Sequence, residues 1–222
     1  MMISPESFVE MELQGKDREK ALKTVKSLRK EIKQLKKTIE EDPYSEEFEI
    51  KPSPLTRISV LRDYLDAAKT YFKGQGWVYE PSKKEIKDKE FNDRLKDLES
   101  IEIYYGGFFQ GGKRWEISFD KDRIVVDSIL RHMPEFDETD LELPCFDDMT
   151  KSDFISEIRS IHMGEWKKEY FNPDILDGTQ WSVDIKYEDG KERHYSGSNM
   201  FPYNFSEFLS VVREENYRMN TK

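Results

Sequence analysis

Between Trp181 and Ser196 the chain alternates apolar and polar residues and then doubles back, and no other stretch narrows the fold so far. Trp181, Val183, Ile185 and Tyr187 alternate with Ser182, Asp184 and Lys186, the period-2 signature of a strand with one buried face. Glu188-Asp189-Gly190 supplies the turn. A two-residue Asp-Gly loop would set Ile185 opposite His194 and Val183 opposite Ser196. A three-residue loop with Gly190 in the left-handed conformation sets Val183 opposite Tyr195, Lys186 opposite Glu192 and Asp184 opposite His194. The second register joins apolar to apolar and charge to opposite charge, at about 0.2–1 kcal/mol per pair, and is the one expected. A single hairpin with one greasy face is marginal in water, so the rest of the chain must cover it.

The cover is written upstream. Ile101 to Tyr105, Trp115 to Phe119 and Arg123 to Asp127 are three more alternating runs. Short turns at Gly106 to Gly112 and at Asp120-Lys121-Asp122 join them into a β-meander. Ser82-Lys83-Lys84-Glu85 is a capping-box pattern opening a helix to about Leu95. Thr150-Lys151-Ser152-Asp153 opens another, with Phe154, Ile155, Ile158 and Ile161 on one face and Gly164 at its end. Trp166, Tyr170 and Phe171 form an apolar bridge into the hairpin, and an amphipathic helix carrying Phe205, Phe208, Leu209 and Val212 follows Pro202. The order βββ-α-ββ-α after residue 98 predicts an α+β fold, an antiparallel sheet of five or six strands with helices on its greasy face.

Ahead of this domain, residues 1–54 read as an N-terminal helical arm with its connector, leaving 55–222 as the α+β domain. Ser4-Pro5 starts a short helix carrying Phe8, Val9 and Met11 and ending at Gly15. Asp17 caps a longer helix to about Glu41. On it Ala21, Val25, Leu28, Ile32, Leu35 and Ile39 recur at spacings of four and three, a heptad seam wanting one partner helix. The partner is either an antiparallel helix from Thr56 to Phe72, with Ile58, Leu61, Leu65, Ala68 and Phe72 on one face, or a second copy in a homodimer through residues 17–41. Outside the seam residues 16–37 hold ten Lys or Arg against three acids, read as solvated flanks. Asp42 to Pro54 is a proline-punctuated connector.

A net charge of −10 disfavours a general binder of nucleic acid or membrane surfaces. The one cysteine, Cys145, excludes an internal disulfide and a zinc site built on several thiolates. With no signal-like segment and no run of 18 apolar residues, the chain reads as cytoplasmic and unattached to membrane.

Three motifs approach known chemistry. Gly107 to Lys113 fits the first part of a phosphate-binding loop, but Arg114 stands where a hydroxyl must reach magnesium, and a strand follows instead of a helix N-terminus. Pro173-Asp174 with Asp184-Ile185-Lys186 resembles the PD-(D/E)xK nuclease pattern. Its pair lies after the second helix, whereas that family has it within the meander. His194 opposite Asp184 is a base with an orienter but no nucleophile beside it. His132, His162 and His194 show no metal-ligand spacing, and His162 near the end of a helix complements the helix dipole. No metal or cofactor is expected. The acidic stretch around Glu135, Asp137, Glu138, Asp140 and Glu142 lacks a calcium-loop pattern and reads as a solvated or partner-binding loop.

Glu165-Trp166, Asp177-Gly178-Thr179-Gln180-Trp181, Gly197-Ser198-Asn199, Pro202 and Asn204-Phe205 together resemble a family of uncharacterised small proteins from gut-type Gram-positive bacteria. The resemblance extends to Gly106-Gly107-Phe108-Phe109 and the N-terminal helix. It implies a bacterial cytosolic origin and transfers no catalytic residues. The expectation is thus a non-enzymatic protein that binds another protein, such as a small acidic inhibitor or immunity-type protein. The alternative is a metal-dependent hydrolase or nuclease on the polar face of the 179–196 hairpin, using Asp184, Lys186 and His194.

Overall fold

A computed structural model describes residues 3–42, 51–107, 111–128, 144–146, 149–175 and 177–212. They divide into two units, Met1–Pro81 and Ser82–Lys222.

The first unit holds α1 (Pro5–Glu12), α2 (Arg18–Glu41) and α3 (Pro54–Gly74). Ser4, Asp17 and Ser53 cap them, their side chains accepting the N–H groups of Ser7, Lys20 and Thr56, donors a helix start otherwise leaves unpaired. Phe8 is buried and stacks on Tyr64 of α3 with ring centroids 4.5 Å apart. Met11 of the same helix is 66% exposed. All six seam residues of α2 are buried, as are Ile58, Leu61, Leu65, Ala68 and Phe72 of α3. Arg57 meets Glu31 at 3.0 Å, and Arg18 reaches the Val78 carbonyl just past the end of α3, an order of contacts that sets α2 and α3 antiparallel. The seam is therefore filled within the chain, and a coiled-coil dimer through residues 17–41 finds no exposed apolar stripe to use. Because α3 completes this seam, the helical unit runs to Pro81, past the boundary expected at residue 54.

The second unit runs α4 (Lys83–Arg94), β1 (Leu98–Gly107), β2 (Gly111–Asp120), β3 (Arg123–Ser128), α5 (Lys151–Ile161), β4 (Glu169–Phe171), β5 (Thr179–Tyr187), β6 (Glu192–Ser198) and α6 (Phe205–Val211). The strands form one six-stranded sheet in the order β3-β2-β1-β5-β6-β4. This is the expected α+β architecture. Four neighbouring pairs are antiparallel, while β4 runs parallel to β6. The apolar bridge thus becomes an edge strand, with Tyr170 buried and Phe171 exposed on the opposite side. The hairpin takes the three-residue turn: Val183 faces Tyr195, Asp184 faces His194, Lys186 faces Glu192, and Gly190 has φ 74°.

All three helices lie on one face. Ile101, Ile103, Trp115, Ile117, Val183 and Ile185 point into the same core as Phe91 of α4, Phe154 and Ile158 of α5, and Phe208 and Leu209 of α6. Trp181 is the largest fully buried side chain, and its ring lies 4.5 Å from Phe205 and 6.2 Å from Trp166. Its indole N–H donates to the Met200 carbonyl at 2.9 Å. The ring needs Gly197 opposite it, because a Cβ there would sit 2.3 Å from the indole nitrogen. Tyr195 donates to the Met163 carbonyl at 2.9 Å, and burial pushes its phenol up to about 12. At the end of α5, His162 is left-handed (φ 57°) with its Nδ1 2.6 Å from Oδ2 of Asp88 on α4. The helix dipole is not its main partner; a carboxylate with only 11% of its side chain exposed is.

Two tests follow from this packing. Gly197→Ala forces the Trp181 ring out of place and lowers stability by about 1–3 kcal/mol. Gly190→Asn keeps a residue that tolerates the left-handed turn and changes the urea midpoint far less. Tyr195 favours its protonated form in the folded state, so its contribution is complete below the ordinary value of 10 and is lost as pH rises through about 12. Urea midpoints measured at increasing alkaline pH fall in the parent chain, and fall less in Tyr195→Phe.

Candidate functional site

Period-2 alternation that buries one face of the sheet must line up the other. Register pairs Asp127 of β3 with Glu116 of β2, Glu116 with Glu102 of β1, Glu102 with Asp184 of β5, and Asp184 with His194 of β6. Four carboxylates and one imidazole thus form a row across five strands on the face without helices. Cross-strand neighbours of like charge are destabilising, and here three such pairs follow one another.

The neighbouring rows answer this repulsion in part. Arg114 Nη1 lies 3.2 Å from Glu102, Lys186 Nζ lies 3.6 Å from Glu116, and the Ser100 hydroxyl donates to Glu116 at 2.6 Å. His194 Nδ1 lies 2.6 Å from Asp184 Oδ1. Asp127 is exposed, and Glu192 and Glu169 add exposed carboxylates to the same face, opposite Lys186 and Ser196. The face as a whole remains acidic.

Of the residues the sequence singled out, Asp184 and His194 meet as predicted, with 34% and 56% of their side chains exposed. Lys186 instead turns to Glu116, which, like Glu102, Asp127 and Arg114, is not among the site residues expected from the sequence. The signal for them was present as the polar positions between Ile101 and Ile103, between Trp115 and Ile117, and after Val126. What was missing was the β1–β5 register that brings them together with Asp184.

Catalytic chemistry is poorly served. An imidazole held at Nδ1 by a carboxylate is an oriented base, yet among the described residues neither Ser182 nor Ser196 hydrogen-bonds its other nitrogen. Among those residues no three His, Cys, Asp or Glu side chains converge as a metal site requires; Glu102, Glu116 and Asp184 turn to Arg114, Lys186 and His194 respectively. Asp174 sits in the turn after β4, with β6 between that strand and β5, so the nuclease-like pattern is not assembled. Gly107 and Gly111 lie in a hairpin leading into β2, which removes the phosphate-loop reading. Glu135, Asp137, Glu138, Asp140 and Glu142 lie outside the described residues. No described helix is long and apolar enough to cross a membrane.

If Arg114 neutralises the row, Arg114→Ala costs about 0.5–1 kcal/mol, and less in high salt. Glu102→Gln in the same chain recovers most of that loss. A double-mutant cycle in urea, at low and high ionic strength, measures the coupling.

The chain matches no family model, no curated protein and no solved structure.

Proposed function

We propose that the protein works without catalysis, as a cytoplasmic protein that binds another protein through the helix-free face of its sheet. The supporting observation is the carboxylate row. A stable fold has no use for three successive like-charge pairs in register, and departures from local consistency concentrate at functional sites. An acidic, open face suits a partner with a basic surface, as expected of a small acidic inhibitor or immunity-type protein. Complementary charge on such a face raises association rates and selects partners.

The hydrolase reading rests on the 2.6 Å contact between His194 and Asp184. It makes a different demand, since the site must then take up a divalent ion or a small substrate.

A photo-crosslinking residue placed at Ser182 or Asp127, and for comparison at exposed Met11, tests the first reading in cells of the native host. One defined protein captured from both sheet positions and not from Met11 is the expected result. Stoichiometric divalent-ion binding by calorimetry, lost in Asp184→Ala, would favour the hydrolase instead.

A further inference from the structure

The helical unit carries a charge pattern that answers the sheet. Lys23, Lys26, Lys30, Lys33 and Lys37 of α2 recur at spacings of three and four, offset from the buried seam, and all five are exposed. Side chains three and four apart share one face of a helix, so they form a single lysine stripe along the back of α2. Lys23 and Lys37 make exposed pairs with Glu19 and Glu41 at 3.4 and 3.5 Å, contacts worth little in water. Lys26, Lys30 and Lys33 make no ion pair among the described residues.

The stripe and the row have matching dimensions. From Lys23 to Lys37 the helix rises about 21 Å, one lysine every 5 Å or so. From Asp127 to His194 the row crosses four strand spacings, about 19 Å, one side chain every 4.8 Å or so. A helix laid across the strands would set lysine after lysine against carboxylate after carboxylate.

Resting on the proposal that the sheet face is a protein-binding surface, we infer that its partner is a second copy of this chain, which docks the lysine stripe of α2 on the carboxylate row. This differs from the coiled-coil dimer, since the apolar seam stays with α3 and only the polar back of α2 takes part. Such a contact is electrostatic and weakens within the screening length of added salt.

Light scattering of the full chain over a concentration series, at 50 mM and 500 mM salt, provides the test. The expected result is a mass of at least twice the monomer at low salt, falling to the monomer at high salt. Two variants locate the contact: Lys26→Glu/Lys30→Glu/Lys33→Glu on the stripe, and Asp127→Lys/Asp184→Lys on the row. Each is monomeric alone, and an equimolar mixture recovers the doubled mass, because the reversed stripe then meets the reversed row. Circular dichroism and a cooperative urea transition verify folding, and Lys26→Gln/Lys30→Gln/Lys33→Gln serves if the reversal disturbs α2. A parent chain that is monomeric at every salt and concentration overturns the inference, as does self-association unaffected by the stripe variants. So does a parent chain that retards a labelled nucleic-acid duplex through the same lysines. If the parent is monomeric while Ser182 still crosslinks a different protein, the second-copy inference falls and the binding face stands.

Discussion

The pairing of β1 with β5 is the joint on which the second unit depends. It connects a meander to a hairpin whose first strand begins 72 residues after β1 ends, from Leu98 opposite Tyr187 to Gly107 opposite Thr179. Neither piece alone has enough strands and cover for independent stability. Joined, they bring Ile101, Ile103, Val183 and Ile185 onto one continuous face broad enough for α4, α5 and α6. A slip of one residue would turn Val183 and Ile185 away from the face that Ile101 and Ile103 occupy. Burial therefore holds the register, and the register fixes the other face as well. The same ladder that puts Ile103 opposite Val183 puts Glu102 opposite Asp184.

The acidic row is in that sense a consequence of the core, but its composition is not. Burial of one face requires only that the outer positions be polar, and Thr, Ser or alternating charges would meet that requirement without repulsion. Ser118 and Ser100, and then Ser182 and Ser196, occupy equivalent positions in the rows to either side. The carboxylates are concentrated in the row between them, with Arg114 and Lys186 reaching across from those flanking rows. Repulsion reduced but not removed is what the proposed docking of a cationic partner requires.

The sequence carried the elements far better than their assembly. Capping patterns at Ser4, Asp17, Ser82 and Thr150 marked helix starts that the structure keeps, because a cap is a local hydrogen bond between residues two or three apart. The hairpin register was legible for a similar reason: turn chemistry and cross-strand pairing lie within sixteen residues. Three features were hidden by distance. The edge strand Glu169–Phe171 takes its direction from β6, which comes later in the chain. Asp88 sits in a helix 74 residues before His162, and no periodicity announces such a pair. The boundary at Pro81 depended on which helix filled the seam of α2, a choice two amphipathic faces left open. The candidate site belongs with this group, since Asp184 and His194 were found as a local pair while Glu102, Glu116 and Asp127 required the long-range ladder.

Net charge proved a coarse guide for a related reason. A total of −10 is a sum over 222 residues, whereas association responds to the field near each surface within roughly a Debye length, about 10 Å at 0.1 M salt. The lysines of α2 fall on one helix face, and the carboxylates from four strands fall on one row, so the chain presents a positive stripe and a negative one. Each arrangement follows from a period, 3.6 residues in the helix and 2 in the strands, that first sorts apolar side chains inward. Burial thus orders the surface charges as a by-product, and the charge pattern is as much a property of the fold as the core is.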